Sequence, residues 1–349
     1  MAAYRILSID GGGIRGIIPA IVLERLCAQP SLHGWLDRVD LVAGTSTGGL
    51  LALGIAAGLS PSEIREIYET KGRCIFSDSL LDDVCDFGNL RGADYGLRHL
   101  RRELRRVLGR RTLGELKKHV VITAFDLDDR SRSSTSGMGT RAAQRTPHHW
   151  RPKIFHNLPT DDNDAGARAY RVALYTCAAP TYFPSVDGYI DGGVFAPNPS
   201  VCALAQCQNA ARRQDPPSSG ANRSGTSVRP HRSLSRIVLL SLGTGMSLRH
   251  IAGDSHDWGY LQWARPLLRI MIDGASQIAD HQCRQFLGPR YFRLAPVFPT
   301  GINPPMDAAE RLPYMAQFAR ELDLGLCERW IRARWLRAER REAARSATS

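Results

Sequence analysis

Two glycine-dense turns constrain this chain more than any other feature. They are Asp10-Gly11-Gly12-Gly13-Ile14-Arg15-Gly16 and Gly44-Thr45-Ser46-Thr47-Gly48, each directly after a short apolar run and directly before a helix-like stretch. That arrangement is how a buried strand passes into a packed helix. Further short apolar runs lie at residues 120–125, 189–190 and 237–242, besides 5–9 and 39–43 before the two turns, with weaker ones at 153–156 and 291–294. Unbroken apolar strands of this length, alternating with helical patterns, predict an α/β chain whose mainly parallel central sheet is covered by helices on both faces.

Helix starts are legible from their capping chemistry. In Ser60-Pro61-Ser62-Glu63 the serine accepts from free backbone N–H groups, the proline needs no N–H, and Glu63 completes a capping box. Asn198-Pro199 repeats the arrangement, and Pro19 is tolerated early in a helix expected over 16–27. The chain has 349 residues, 43% of them hydrophobic, enough for one large core. We expect a single domain over 1–349, with a motif-bearing core at about 4–245 and a helical C-terminal part at about 257–349. Residues 212–233, rich in Pro, Gly, Ser and Arg, read as a mobile insertion.

The weakly polar stretch 49–59 is about half the roughly 20 residues that cross a bilayer, so it reads as a core helix. No secretory signal is visible, and a cytoplasmic location is the simplest expectation. Eight cysteines without a CxxC pair read as reduced thiols, with neither a disulfide framework nor a metal site.

The turns carry the chemistry. A GxSxG sequence between strand and helix builds a sharp elbow that projects the serine hydroxyl, here Ser46, with Gly44 and Gly48 giving the required clearance. The turn at 11–16 also matches GxGxxG, which serves either dinucleotide binding or oxyanion stabilisation. A dinucleotide site needs an acidic residue at the end of the next strand, yet that strand ends in Gly44-Thr45-Ser46. This favours N–H groups around Gly12 and Gly13 aimed at a developing oxyanion, with Arg15 either adding positive charge or holding the turn. A nucleotide-binding module built on this loop remains the alternative. A third turn, Asp191-Gly192-Gly193, lets a carboxylate approach a neighbouring strand end, although alone such a turn is commonly structural.

Together DGGGIRG at 10–16, GTSTG at 44–48 and DGG at 191–193, supported by AAPTYFPSV at 178–186 and DGGVFAPNP at 191–199, resemble the patatin-like phospholipase family. The resemblance implies a three-layer α/β/α fold and a Ser-Asp dyad that cleaves carboxylic esters of phospholipids or other acyl lipids without a metal or other cofactor. By position Ser46 is then the nucleophile and Asp191 the base, with Gly11, Gly12, Gly13 and Arg15 as the oxyanion loop. Where family members often carry paired asparagines after the DGG turn, this chain keeps only Asn198 as a supporting candidate. A carboxylate with an unperturbed pKa near 3.9 is a weak base, so burial must raise it. A histidine triad would instead need His231, His250, His256 or His281, none of which has a distinctive setting.

Arginine dominates the net charge of +12, which favours approach to anionic surfaces such as phospholipid headgroups or nucleic acid. Leu97, Leu100, Leu104, Val107 and Leu108 form a helical stripe flanked by Arg98, Arg101, Arg102, Arg105 and Arg106. That helix either presses on anionic lipid or packs its leucines into the core. Residues 329–345 are similarly basic, with Trp330, Ile331 and Trp335 suited to an interface or to closing the core. Bacterial family members that resemble this chain include phospholipases switched on by cyclic nucleotides in antiphage defence, which puts a cyclic nucleotide among the candidate partners.

Overall fold

The structure is a computed structural model that describes residues 3–76, 91–129, 148–180, 182–213, 234–248, 251, 259–302, 304–305 and 308–336. Its centre is one seven-stranded sheet of β1 (Tyr4–Ile9), β2 (Leu41–Thr45), β3 (His119–Asp126), β4 (Arg151–His156), β5 (Tyr189–Asp191), β6 (Ile237–Leu242) and β7 (Tyr291–Leu294). The order is β4-β3-β2-β1-β6-β7, with β5 paired to β3. Every pairing is parallel except those of β4 and β5 with β3. Each strand expected from the sequence is present.

Alternation along the strands splits the core in two, as the two-residue period of a pleated strand requires. Leu7, Val42, Val120, Ile122 and Leu240 face one apolar cluster, and Ile6, Leu41, Val121 and Leu239 face the other. The first face is covered by α1 (Ile17–Cys27), α2 (Thr47–Ala57), α3 (Pro61–Phe76), α4 (Arg91–Leu108), α5 (Ala169–Cys177) and, from the far end of the chain, α8 (Leu312–Glu321). The second is covered by α6 (Ser200–Arg213) and α7 (Tyr260–Leu287). This is the three-layer α/β/α arrangement. The helix α9 (Gly325–Trp330) and the turn after it bring Trp335, fully buried, edge-on to Trp35 at 5.9 Å.

The capping box at α3 forms as expected: Glu63 accepts from the Ser60 N–H at 2.8 Å, and the Ser60 hydroxyl accepts from the Glu63 N–H at 3.3 Å. The leucine stripe of α4 resolves as core. Leu97, Leu100, Leu104 and Leu108 are buried while Arg98, Arg101, Arg102, Arg105 and Arg106 face solvent, so over 97–108 the helix has no fully apolar face left for lipid. Trp335 and Ile331 likewise close the core. The expected mobile insertion lies, beyond Arg213, outside the described residues, as does the basic run after residue 336. No helix among the described residues is long and apolar enough to cross a membrane, and the described cysteines are free thiols.

Candidate active site

In an open α/β sheet, the loops that leave the carboxyl ends of the parallel strands surround a crevice. Ile9 of β1 lies opposite Gly44 on one side and Leu242 of β6 on the other, so the turns after β1, β2 and β6 leave the sheet side by side.

Ser46 sits at the junction of β2 and α2 with φ 54° and ψ −128°, a conformation that a non-glycine residue adopts only under constraint. The constraint is close packing. A Cβ on Gly44 would lie 2.2 Å from the Gly48 carbonyl oxygen, and one on Gly48 2.2 Å from that of Ile9, so only glycine fits either position. The Ser46 N–H donates to the Thr176 hydroxyl at 2.7 Å, which fixes the elbow to the end of α5.

The register of β3 brings Asp191 to this serine. β4 occupies one edge of β3 from Val121 to Asp126, so β2 and β5 must share the other edge. β2 runs out at the pair Thr45↔Thr123, and β5 takes over at Ala124↔Asp191. The serine that follows Thr45 and the aspartate opposite Ala124 are thereby set next to one another. The Ser46 hydroxyl stands close enough to the Asp191 carboxylate to lower its pKa, and that carboxylate accepts from the Gly193 N–H at 2.7 Å. Asp191 is 5% exposed, and burial lifts its carboxyl to about 6 against the lowering effect of those two donors. Gly192 is required because a Cβ there would meet the Thr123 hydroxyl at 2.3 Å.

Asn198 occupies a different position from the one expected of it. Its side-chain oxygen accepts from the Ser200 N–H at 3.1 Å, capping α6, and its amide reaches the Ser276 carbonyl on α7. The turn around Asp191 is held instead through Thr45, whose hydroxyl donates to the Ala196 carbonyl at 2.6 Å and pairs with that of Thr123 at 2.7 Å.

The glycine loop divides its labour. Gly11 donates its N–H to the Pro197 carbonyl at 2.9 Å and so is spent on holding the loop. Gly13 takes φ 56°, and a Cβ on Gly12 would lie 2.2 Å from the Thr244 hydroxyl. Among the described residues neither the Gly12 nor the Gly13 N–H meets a protein acceptor, and both glycines line the same cavity as Ser46. Arg15 also lines the cavity and donates to the carbonyls of Gly245 at 3.1 Å and Gly12 at 3.5 Å, a grip on the turn. Under the loop, the Arg293 guanidinium of β7 clamps both Asp10 oxygens, at 2.5 and 3.1 Å.

These groups open into a cavity of about 340 Å³ walled mainly by apolar side chains, among them Leu50, Leu100, Phe183, Val194, Met246 and Leu268. No histidine lines it among the described residues. Cys177 does, but burial, with the nearby Asp191 charge, pushes its thiol well above the usual value, so it is held protonated. The sequence reading missed Thr176, Thr244 and Arg293. A local signal exists only for Thr244, which stands in Gly243-Thr244-Gly245 directly after an apolar strand.

The chain matches the model of the patatin-like phospholipase family over residues 7–201. It is 31% identical to a cGAMP-activated phospholipase of Pseudomonas aeruginosa over 306 residues, which cover 83% of this chain and 78% of that protein. It is 29% identical to patatin-like protein 2 of Arabidopsis thaliana over 320 residues, 79% of this chain and 70% of the relative. Among solved structures, VipD from Legionella pneumophila overlaps 92% of this chain and 67% of its own at 11% identity and a TM-score of 0.37, too low to bear on the fold. A match across more than half the chain, spanning the three glycine-flanked turns that meet at one cavity, shows that the protein belongs to the patatin-like phospholipase family and is a lipid ester hydrolase.

Proposed function

We propose that the protein is a phospholipase A or lysophospholipase in which Ser46 and Asp191 act as a two-residue catalytic unit. The observation that carries this reading is that Ser46, on its strained elbow, and the buried Asp191 carboxylate line the same apolar cavity. Ser46 Oγ attacks the ester carbonyl carbon as its proton passes to Asp191, and the carbonyl oxygen becomes the oxyanion held by the Gly12 and Gly13 N–H groups. Collapse breaks the bond to the lysolipid oxygen, which leaves with the proton from Asp191. Water then attacks the acyl-serine, again giving its proton to Asp191, and release of the fatty acid returns that proton to Ser46. Negative charge passes from carboxylate to oxyanion and back, and no cation is generated inside the apolar cavity.

In this reading the core and the helices that follow it form a single folding unit, because β7 and α8 belong to the same sheet and cluster as β1 and α1. The Pseudomonas aeruginosa relative gives the reason to carry a cyclic nucleotide activator, and with it a role in antiphage defence, to this chain as a second element of the proposal. Purified protein and its Ser46→Ala and Asp191→Asn variants are to be incubated with phospholipid vesicles, with and without a panel of cyclic dinucleotides, and fatty acid and lysolipid measured by mass spectrometry. Loss of Ser46 is expected to lower release by on the order of 10⁴-fold or more, and loss of the Asp191 base by about 100- to 10,000-fold. Equal turnover by either variant would remove that residue from the mechanism, and release unaffected by any nucleotide would remove the activator.

A further inference from the structure

Large apolar side chains exposed to solvent are gathered around the mouth of the cavity. Val194 and Leu268 line it and are nevertheless 39% and 57% exposed. Leu248, 78% exposed, follows the lining residue Ser247; Met271, 59% exposed, precedes the lining residue Ile272; and exposed Ile302 stands two residues before Pro304. Four separate segments of the chain thus bring apolar groups to one rim. The largest share comes from the first half of α7, where Leu268 and Ile272 turn to the cavity one helical turn apart. Leu267, Ile270, Met271 and Ile278 recur at the helical spacing on another face, every one of them exposed. That face runs over about 16 Å at 1.5 Å per residue.

We propose that this rim, extended by the adjoining Leu267–Ile270–Met271 face of α7, is the surface by which the enzyme seats on an anionic phospholipid bilayer with its cavity opening into the lipid. The proposal rests on the phospholipase reading above and names where that site meets its substrate. Two observations select a bilayer over a second copy of the chain. The apolar rim is continuous with the lining of a cavity that must stay open to receive an acyl chain, and a protein partner seated there would close it. In addition, the chain carries a net charge of +12, which complements phosphate headgroups, and Arg269 lines the cavity beside Asp273. The basic α4, whose leucines are committed to the core, can contribute attraction at a distance but no insertion. Docking through α7 would sink its outer face into the boundary between headgroups and acyl chains.

The test uses the full chain carrying Ser46→Ala, so that vesicles are not consumed, and measures flotation with vesicles of phosphatidylcholine and phosphatidylglycerol. The triple substitution Leu267→Gln, Ile270→Gln, Met271→Gln is expected to lower the bound fraction's partition constant about tenfold or more. With Ser46 present, the same three substitutions are expected to leave turnover of a monomeric short-chain ester unchanged, which also shows that the variant is folded. Undiminished flotation of the triple variant, or no flotation of the parent, overturns the docking surface. So does conversion of a dimer to a monomer with flotation unchanged, which would make this face a self-association surface. Absence of Ser46-dependent ester turnover would instead overturn the phospholipase reading, and flotation would still report on docking.

Discussion

In the proposed mechanism Asp191 has to be ionised to accept a proton, and its burial sets the pH at which that holds. With its carboxyl at about 6, kcat/KM on a monomeric ester is expected to fall about tenfold per pH unit below that point, measured in a buffer series at constant ionic strength. The same burial costs stability. The folded chain keeps the Asp191 proton up to about 6, whereas the unfolded chain releases it near 3.9, so stability contributed by this group declines as pH rises between those values. Asp191→Asn is therefore expected to melt higher than the parent at pH 8, by on the order of 1–3 kcal/mol, with the gain vanishing near pH 4. An unchanged melting difference across that range would place the carboxyl at its ordinary value. That Ser46 and Asp191 would come to one cavity was legible from the glycine-flanked turns that carry them, because such turns follow strand ends and let the backbone approach closely. Thr176 was not legible, since a threonine that accepts one backbone N–H from 130 residues away leaves no pattern of its own.

The strands were legible as elements because buried parallel strands are short, unbroken apolar runs, and the Ser60–Glu63 capping box announced α3. What the sequence did not contain was the sharing of one edge of β3 by β2 and β5, a matter of register between distant segments. The clamp of β7 on the glycine loop was hidden for the same reason. Its Arg293–Asp10 pair is buried on both sides, so Arg293→Gln alone leaves an unpaired carboxylate and is expected to cost about 3–5 kcal/mol in urea denaturation. Adding Asp10→Asn is expected to recover most of that loss, and additivity of the two would show that the pair is not coupled. In α7 the opposite kind of substitution is available. A Cβ on Gly274 would meet nothing within 4 Å, so Gly274→Ala is expected to stabilise the chain by about 0.5–1 kcal/mol in a thermal melt, through helix propensity and a less free unfolded state.

At the scale of the whole molecule, the three glycine-flanked turns all lie before residue 194, yet several of the groups that hold the first of them do not. Arg293 clamps Asp10, Thr244 donates to the Gly11 carbonyl at 2.7 Å, and Trp335 seals Trp35 from 300 residues further along the chain. A chain shortened after Leu287 keeps Ser46, Asp191 and Gly11–Gly13 but loses β7, α8 and Trp335. It is expected to be inactive and to bind a hydrophobic dye through its uncovered core, and full ester turnover by that fragment would show that the later elements are dispensable. The dependence also has a direction in time. A polypeptide emerging from the ribosome presents β1 first and β7 about 15–60 s later at 5–20 residues per second. Through that interval Asp10 lacks the Arg293 guanidinium that clamps it, and the loop beside it lacks that hold. A lipid hydrolase built in this way is expected to gain activity only after β7 has been made.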